Sequence, residues 1–532
     1  MAVQPMATDP ERPRRRPDLR SYLRELEEAG ELERVGSVVS IRDLGRLIEA
    51  SDRAILFESV AGYSMPVLAN AVASRRRLAM AFGCAEADLR RELARSLERP
   101  VAPVVVDRGP VQEVIERAEE ADLSTLPAYL QHDLDAAPFL SGAMDVSRHP
   151  ETGRYNIGVR RLMLRGPRET GVDMVAPSDL RAYYRRAREL GRRFEIAFVI
   201  GTHPLDYLAS QMRVATENEF DTLGALRGAP VELVRCATVD LMVPADAELV
   251  LEGYLDGDWT EVEGPYGEYT GCYGAAHFNP VFKLTGLMRR RDAIFQSVTI
   301  SGRRLFHTDS AVLASLGTEL RVAHAVSQAV PEVVDVYCPP EASGFHHVRI
   351  AVRVRQAGDA RNALHAALAA TEVKMAVVVD EDIDVRDDRK VEWALSTRFQ
   401  ADRDLVVLEG MRCIPLDPSL PPNQGWHVTT AKLGIDATRR RDKPAHLFDI
   451  PAMPFEDRPR DWFQPESRTE LQALRERMEA SLGTGPRFVD WLEQERGVHQ
   501  AQIIQVLGML RAEGRIRLDP DGRYWPAEPS AG

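Results

Sequence analysis

The stretch YNIGVRRLMLRG at residues 155–166 alternates apolar and polar residues in short steps and contains glycine, which predicts a β-strand with one buried face. Four later stretches are also predicted to be β-strands, with few helices between them: RFEIAFVIG (193–201), VELVRCATVDLMVP (231–244), AELVLEGYL (247–255) and NPVFKLTGLMRR (279–290). Many short strands separated by glycine and proline turns predict a β-barrel or a β-sandwich over residues 116–310.

Helical and strand patterns alternate on both sides of this middle section, so we expect α/β domains at residues 17–115 and 311–450. The first domain opens with apolar residues at helical spacing behind Asp18, a predicted N-cap, with Gly30 near the helix end. Its predicted strands are AILFESV (54–60) and MPVLANAV (65–72). The last domain opens with a predicted helix over residues 310–330.

The two ends of the chain differ from these domains. Residues 1–16 carry four arginines without a following apolar run, which predicts a disordered basic tail and no signal peptide. Residues 451–482 read as a proline-rich linker followed by a helix from Thr469. Two further helical patterns and a hairpin with a turn at residues 519–522 predict a small winged-helix-like module over residues 483–532.

Composition excludes several function classes. A length of 532 residues requires more than one core, and a net charge of −13 argues against nucleic-acid binding by the whole chain. No run of about 18 apolar residues is present, so no membrane span is expected. The five cysteines are scattered without a CxxC pair, which favours a reducing, cytoplasmic location over a disulfide scaffold.

The motif EGPYGE places Glu263 and Glu268 five residues apart, around Gly264 and Pro265. A straight strand would put the two carboxylates on opposite faces, but a turn or bulge at the Gly-Pro step brings both to one side. Paired carboxylates in one pocket raise the pKa of one, which then serves as a proton donor. The alternative is a surface turn with two solvated acids.

A second group of candidates is Asn156, Arg161 and Glu219. Arginine grips a carboxylate through two parallel hydrogen bonds, while an amide oxygen with a carboxylate suits Mn²⁺ or Mg²⁺. Asn156 and Arg161 stand an odd number of residues apart. They either share a face through a bulge at Gly158 or serve different parts of one long ligand.

Taken in order, these motifs resemble the UbiD family of decarboxylases. The resemblance covers residues 17–450 and rests on Asn-x-Gly-x-x-Arg (156–161), Glu219-Phe220 before GALRG, VELV, ADAELVLEG and EGPYGE. The flanking stretches DLRSYLRELEEAGELERV, ILFESVAGYSMPVLAN, VVVDEDIDVRD, WALSTRF and KLGIDATRR are also similar to the family. This resemblance implies an α/β N-terminal domain, a central split β-barrel that binds flavin, and a C-terminal α/β oligomerisation domain.

The resemblance also assigns the site residues. It implies that Arg161, Glu263 and Glu268 form the catalytic network, and that Asn156, Glu219 and Asp179 bind the metal. It implies a cofactor site made by Asn156, Ile157, Gly158, Arg160, Glu219 and Lys432. Asp179 departs from the family, which usually has a histidine at this position; its alternative role is the N-cap of a helix starting at Leu180.

The function that the resemblance implies is the reversible, non-oxidative decarboxylation of an aromatic or α,β-unsaturated acid. Prenylated FMN would supply the electron sink, with Mn²⁺ or Mg²⁺ at its phosphate and K⁺ as a further candidate ion. Arg161 would orient the substrate carboxylate and Glu268 would donate a proton. The implied partners are a flavin prenyltransferase and further copies of the chain in a homodimer or hexamer.

Two other classes are weighed against this hypothesis. One is a split-barrel flavin oxidoreductase, although no GxGxxG follows a predicted strand. The other is a non-catalytic scaffold or DNA-binding regulator acting through the C-terminal module. Its candidate recognition helix carries one arginine, Arg511, beside Glu513, which is poor for contacting phosphates.

Overall fold

The structure is a computed structural model that describes residues 18–174, 177–212, 218–303, 307–370, 373–421, 428–443, 445–448, 468–495, 498 and 500–527. It divides into two compact units, Met1–Thr438 and Arg439–Gly532. The predicted basic tail at residues 1–16 and the linker at residues 451–467 lie outside the described residues. Within the described part of the chain, no helix is long and apolar enough to cross a membrane.

The N-terminal part alternates helices and strands, as the sequence predicts. Its elements are α1 (Leu19–Glu28), β1 (Leu32–Val35), α2 (Leu44–Ala50), β2 (Ala54–Phe57), β3 (Val67–Ala69), α3 (Arg75–Phe82) and α4 (Leu89–Leu97). Asp18 caps α1, since its carboxylate accepts a hydrogen bond from the backbone N–H of Ser21. The apolar face of α1 is buried against the sheet through Leu19, Tyr22, Leu23 and Leu26.

The middle section contains most of the strands. Its elements are β4 (Val104–Val105), β5 (Val114–Arg117), β6 (Phe139–Arg148), β7 (Tyr155–Gly166), β8 (Glu169–Val172), α5 (Asp179–Glu189), β9 (Phe194–Ile200), α6 (Pro204–Ala209), α7 (Phe220–Arg227), β10 (Glu232–Arg235), β11 (Met242–Pro244), β12 (Leu249–Glu263), β13 (Tyr266–Gly267), β14 (Tyr273–Gly274), β15 (His277–Arg289) and β16 (Phe295–Gln296).

Six of these strands close into a barrel. The antiparallel order is β12-β9-β6-β7-β8-β15, and β15 pairs again with β12 to complete the ring. Strand β12 makes the closure possible because it is long enough to pair with β9 at its start and with β15 along most of its length. The structure therefore confirms the barrel and excludes the sandwich.

Strands also cross between the first two parts of the chain. β16 returns to pair with β3, extending the N-terminal sheet to the order β1-β2-β3-β16, and β4 pairs with β10. Strand β16 follows the barrel in the chain, so its pairing with β3 links the end of the middle section to the N-terminal sheet through backbone hydrogen bonds. Strands β4 and β10 belong to a separate three-stranded sheet that also contains β11. The domain boundaries at residues 115 and 310 stay a prediction.

The C-terminal part of the first unit is a second α/β layer. Its elements are α8 (Asp309–Ala329), β17 (Val333–Tyr337), β18 (His347–Val352), α9 (Asp359–Ala370), β19 (Met375–Asp380), α10 (Asp388–Arg398), β20 (Leu405–Arg412) and β21 (Thr429–Asp436). The sheet order is β17-β18-β19-β21-β20. Helices α8 and α9 pack on one face of this sheet around a core of valine, leucine and alanine side chains.

The second unit contains α11 (Arg468–Ser481), α12 (Phe488–Gln494), α13 (Gln500–Ala512), β22 (Ile516–Leu518) and β23 (Tyr524–Pro526). Its small core is built around Trp491, which is 1% exposed. The hairpin turns at Asp519, whose carbonyl accepts a hydrogen bond from the N–H of Gly522. The order of two helices and a two-stranded wing is the one predicted from the sequence.

Candidate active site

Arg161, Glu263 and Glu268 meet at the barrel. Arg161 lies on β7 and binds Glu263 through two hydrogen bonds, Nε to Oε1 at 3.0 Å and Nη2 to Oε2 at 3.1 Å. Its Nη1 also donates to Oε1 of Glu268. Residues separated by about a hundred positions in sequence thus form one buried ion network.

The Gly-Pro step brings both carboxylates to the same side, as expected from the motif. Strand β12 ends at Glu263, the chain turns at Gly264 with φ of +87°, and β13 and β14 then form a small hairpin around Glu268. The backbone N–H of Glu268 donates to the carbonyl of Cys272. Since Glu263 and Glu268 are 0% and 3% exposed, the interpretation as a solvated surface turn is wrong.

Three neighbours of this network were not predicted from the sequence. Asp173, just after β8, lies 3.5 Å from Nη2 of Arg161. Asn279 on β15 donates to Oε2 of Glu263 at 3.3 Å and accepts from the backbone N–H of Met174. The ring of Tyr266, fully buried, stacks under the Arg161 guanidinium at 5.1 Å. The only local signal was the position of Tyr266 inside EGPYGE.

The electrostatics of the network favour a protonated Glu268. Burial raises the pKa of Glu268 to about 7, with Asp173 and Glu263 adding to the shift and Arg161 opposing it. Burial lowers the pKa of Arg161, but the three carboxylates outweigh it and hold that pKa well above its usual value. One fixed cation therefore faces three carboxyl groups, and Glu268 holds a titratable proton near neutral pH.

A second polar cluster surrounds Asp145 on β6. Asn156 donates to its carboxylate at 3.2 Å, and Nε of Arg160 lies 3.4 Å from Oδ1. Glu219, at the start of α7, accepts a hydrogen bond from the backbone N–H of Ile157. The cofactor-site candidates on β7 are therefore brought together with Glu219.

The bulge expected at Gly158 is found elsewhere. Gly158 pairs regularly with Asp145, and the register shift lies on β6, between Leu140 and Ala143. Two residues of β6 thus oppose the single residue Arg161. Gly158 has a different role, because a Cβ there would lie 2.7 Å from the Asp145 carboxylate. Asn156 and Arg161 contact different residues. The remaining prediction is that they bind different parts of one long ligand.

Asp179 is not the N-cap of its helix. Ser178 is, because its hydroxyl accepts a hydrogen bond from the N–H of Arg181, and Asp179 is the first residue inside α5. The carboxylate of Asp179 is close enough to Glu219 to raise its pKa. The alternative structural role for Asp179 is therefore wrong, and its role as a metal ligand stays a prediction.

The Asn156–Glu219 region suits a divalent cation. Burial raises the pKa of Glu219 to about 7, and the carboxylates of Asp145 and Asp179 add to this shift, so a bound cation would favour the ionised form of Glu219. Asn156 uses Nδ2 for Asp145, which leaves its amide oxygen for a ligand. Among the described residues, no three His, Cys, Asp or Glu side chains form a metal site by themselves.

Lys432 lies apart from these clusters. It is buried on β21 of the C-terminal sheet, and its ammonium donates to the carbonyl of Leu368 at 2.7 Å. Its predicted place near the cofactor phosphate stays a prediction.

Comparison with family models covers most of the chain. The N-terminal, Rift-related and C-terminal domain models of 3-octaprenyl-4-hydroxybenzoate carboxy-lyase match residues 23–97, 104–304 and 311–437 respectively. The chain belongs to the UbiD family. The resemblance drawn from the motifs is confirmed, and the closed barrel corresponds to the Rift-related domain.

Solved UbiD-class structures share this fold over nearly their whole length. HmfF from Pelotomaculum thermopropionicum in complex with FMN is 35% identical, covering 83% of this chain and 99% of that one, with a TM-score of 0.77. An evolved dimeric form of HmfF with prFMN is 33% identical, covering 82% and 97%, with a TM-score of 0.74.

Two aromatic acid decarboxylases are also similar. Klebsiella pneumoniae 3,4-dihydroxybenzoic acid decarboxylase (AroY) is 28% identical, covering 83% of this chain and 98% of that one, with a TM-score of 0.75. Sedimentibacter hydroxybenzoicus vanillic acid decarboxylase is 28% identical, covering 87% and 98%, with a TM-score of 0.72. This UbiD-family chain is therefore a carboxy-lyase, and the alternatives of an oxidoreductase or a non-catalytic regulator are not supported.

Proposed function

We propose that this UbiD-family enzyme removes carbon dioxide, reversibly and without net oxidation, from an aromatic or α,β-unsaturated carboxylic acid. The observation that carries the proposal is the buried Arg161–Glu263–Glu268 network on the barrel. It combines a fixed cation that can receive a carboxylate with an acid that holds a proton near pH 7.

Arg161 orients the substrate. Glu263 occupies the Nε–Nη2 edge of its guanidinium, and Asn279 holds Glu263 in turn. The guanidinium is thereby fixed in one plane. One N–H each on Nη1, which also donates to Glu268, and on Nη2, which lies 3.5 Å from Asp173, would bind the substrate carboxylate. This pre-orientation reduces the entropy lost when the scissile bond is aligned.

Glu268 completes the reaction. When carbon dioxide leaves, the substrate carbon needs a proton, and the carboxyl group of Glu268 accepts from Nη1 of Arg161, the residue that would bind the substrate carboxylate. A pKa of about 7 means that a substantial fraction of Glu268 is protonated at neutral pH. In the reverse direction, at high carbon dioxide, the same group removes that proton as its carboxylate.

The cofactor of this function is prenylated FMN. HmfF has been solved with FMN and, in an evolved form, with prFMN, and the present chain shares its fold. When bound, the group supplies an electron sink for the charge left at an sp² carbon. Asn156, Ile157, Gly158, Arg160 and Glu219 would hold it, with Mn²⁺ or Mg²⁺ bound by Asn156, Glu219 and Asp179.

Relatives that act on 3,4-dihydroxybenzoic acid and vanillic acid support the aromatic part of the proposed substrate class. A flavin prenyltransferase supplies the cofactor, and the chain forms a homodimer or hexamer. K⁺ is a further ion to be tested, and Lys432 a further contact of the phosphate.

The proposal is tested on protein coexpressed with a flavin prenyltransferase. We expect copurified prenylated FMN, identified by mass and absorbance, about one divalent metal per chain, and carbon dioxide release from a panel of aromatic and α,β-unsaturated acids. Oxidation of NAD(P)H by protein carrying unmodified FMN, without carbon dioxide release, would instead indicate an oxidoreductase.

A further inference from the structure

The turn that carries Glu268 rests on a buried histidine and aspartate from the loop before β6. The carboxylate of Asp135 accepts from the backbone N–H of His132 and lies 3.1 Å from its ring Nδ1. It also accepts from the backbone N–H of Gly267 at 2.9 Å, one residue before Glu268. The His132 and Asp135 side chains are 10% and 0% exposed.

Both ring nitrogens of His132 face acceptors. Nε2 lies 2.8 Å from the carbonyl oxygen of Ile300, which can only accept, so Nε2 carries a proton. Nδ1 faces the carboxyl group of Asp135, which also accepts hydrogen bonds from two backbone N–H groups. Two acceptors facing the two ring nitrogens favour the imidazolium form of His132.

The surroundings of His132 agree with this charge. Burial lowers its pKa, but the hydrogen bond and charge of Asp135 and the more distant Glu49 outweigh burial and raise that pKa above the usual value. The rings of Tyr266 and Tyr273 face the imidazole edge-on, with centroids at 5.9 and 6.2 Å.

His132 and Asp135 pack directly against the backbone of the turn at Gly267. A Cβ on Gly267 would lie 2.4 Å from Nδ1 of His132, so only glycine allows this approach. The N–H of Ala136 donates to the carbonyl of Pro265 at 3.0 Å. On the other strand of the hairpin, Tyr273 donates its hydroxyl to Asp133 at 2.9 Å.

We propose that His132 and Asp135 are positioning residues for the reaction: through Gly267 they hold the hairpin so that Glu268 faces Arg161 and the substrate. This inference rests on the proposed function of Glu268. The pair reaches the Arg161 network through the backbone of the turn and through the ring of Tyr266, which contacts both the imidazole and the guanidinium. A displacement of about 1 Å at such a group can lower turnover by about two orders of magnitude.

The first test compares His132→Leu with His365→Leu, which removes an exposed histidine on α9. We expect kcat to fall about 10- to 100-fold in His132→Leu, with KM within about 3-fold of wild type. His132→Gln should recover part of the loss, because its amide N–H can reach the Ile300 carbonyl. An unchanged kcat in folded His132→Leu, judged by circular dichroism, overturns the proposal.

The second test does not depend on turnover. Carboxyl-¹³C glutamate labelling reports the titration of Glu268, which is assigned as the resonance lost in Glu268→Gln. We expect the midpoint to fall by about one pH unit in His132→Leu, because a loosened turn admits water and burial is the main cause of the raised pKa. An unchanged midpoint in folded His132→Leu overturns the positioning role.

The two tests separate the two proposals. If no acid is decarboxylated by the wild type but the midpoint still moves, the proposed function fails, while the role of the pair in holding Glu268 in its buried position stands. If the wild type is active and His132→Leu changes neither kcat nor the titration midpoint of Glu268, only the positioning role fails. Should His132→Leu not fold, Asp135→Asn is measured in the same way, since it keeps an acceptor for Gly267 but removes the charge.

Discussion

Arg161 holds Glu263 in a two-point hydrogen bond, with distances of 3.0 and 3.1 Å, while its remaining Nη1 contacts Glu268. The two glutamates therefore have different environments although they come from one six-residue motif. Glu263 fixes the guanidinium through its Nε and Nη2 atoms, and Glu268 accepts from Nη1, the position proposed for proton transfer to the substrate. Five predictions test this arrangement and its surroundings.

Replacing the proposed proton donor should stop turnover without loss of the fold. In Glu268→Gln we expect carbon dioxide release to fall at least about 100-fold, because the amide keeps the shape but cannot deliver the proton. The control is Glu261→Gln, a half-exposed glutamate on β12 that pairs with Arg165. Turnover in Glu268→Gln equal to that of the control would remove Glu268 from this role.

The pH dependence of turnover should report the same group. Because the pKa of Glu268 is about 7, the protonated fraction declines as pH rises through neutrality. We expect kcat for decarboxylation to fall above about pH 7 and to decline about 10-fold per pH unit at higher pH. A kcat that stays level from pH 6 to 9 would contradict protonation by Glu268 as the limiting step.

Stability should depend on pH in the opposite sense to that of an ordinary carboxylate. Burial raises the folded-state pKa of Glu268 from 4.5 to about 7, so the folded state binds more protons than the unfolded state in this window. The contribution of Glu268 to the free energy of unfolding is fully present below about pH 4.5. It falls by about 3 kcal/mol as pH rises through 7. Urea unfolding at pH 5 and pH 8 measures it, and the wild-type difference should exceed that of Glu268→Gln.

The two-point contact cannot be made by lysine. In Arg161→Lys we expect kcat to fall about 100-fold, and stability to fall by about 3 kcal/mol, because buried Glu263 loses a hydrogen-bonded partner. Arg165→Lys, four residues along β7, is the control because its side chain is closer to the surface. Equal losses in both variants would show a general effect of shortening arginines on this strand.

Metal binding should depend on Glu219 and Asp179. After removal of metal with a chelator and reconstitution with Mn²⁺, we expect Glu219→Gln to lower retained metal about 10-fold or more. Asp179→His, which introduces the residue usual in the family, should retain metal with altered selectivity between Mn²⁺ and Mg²⁺. Glu189→Gln, exposed at the other end of α5, is the control. Elemental analysis showing full metal in every variant would exclude these ligands.

Much of the fold was predictable because its signals are local. The alternation in residues 155–166, the capping of α1 by Asp18 and the hairpin of the C-terminal module are set by nearby side chains and appear as expected. The Gly264–Pro265 step likewise indicated that Glu263 and Glu268 share one side. These features depend on residues a few positions apart, which a sequence pattern contains directly.

The errors and omissions have a common origin. The bulge opposite Arg161 belongs to the neighbouring strand, between Leu140 and Ala143, and no pattern within residues 156–161 shows it. Asp173, Asn279 and the His132–Asp135 pair reach the site from other strands and loops. Their contacts depend on strand register around a closed ring, which is set by many long-range contacts at once.

Local patterning and the ordered motifs were sufficient to predict the α/β–barrel–α/β plan and the family, and to select Arg161, Glu263 and Glu268, which the structure brings together. Tertiary packing alone decided that the barrel closes through β12 and β15, that β16 joins the N-terminal sheet, and that Glu268 is buried beside three other charged groups. The reason is physical: residue type sets what a side chain can donate or accept. The pKa at which it does so depends on burial and on neighbours that only the folded chain brings together.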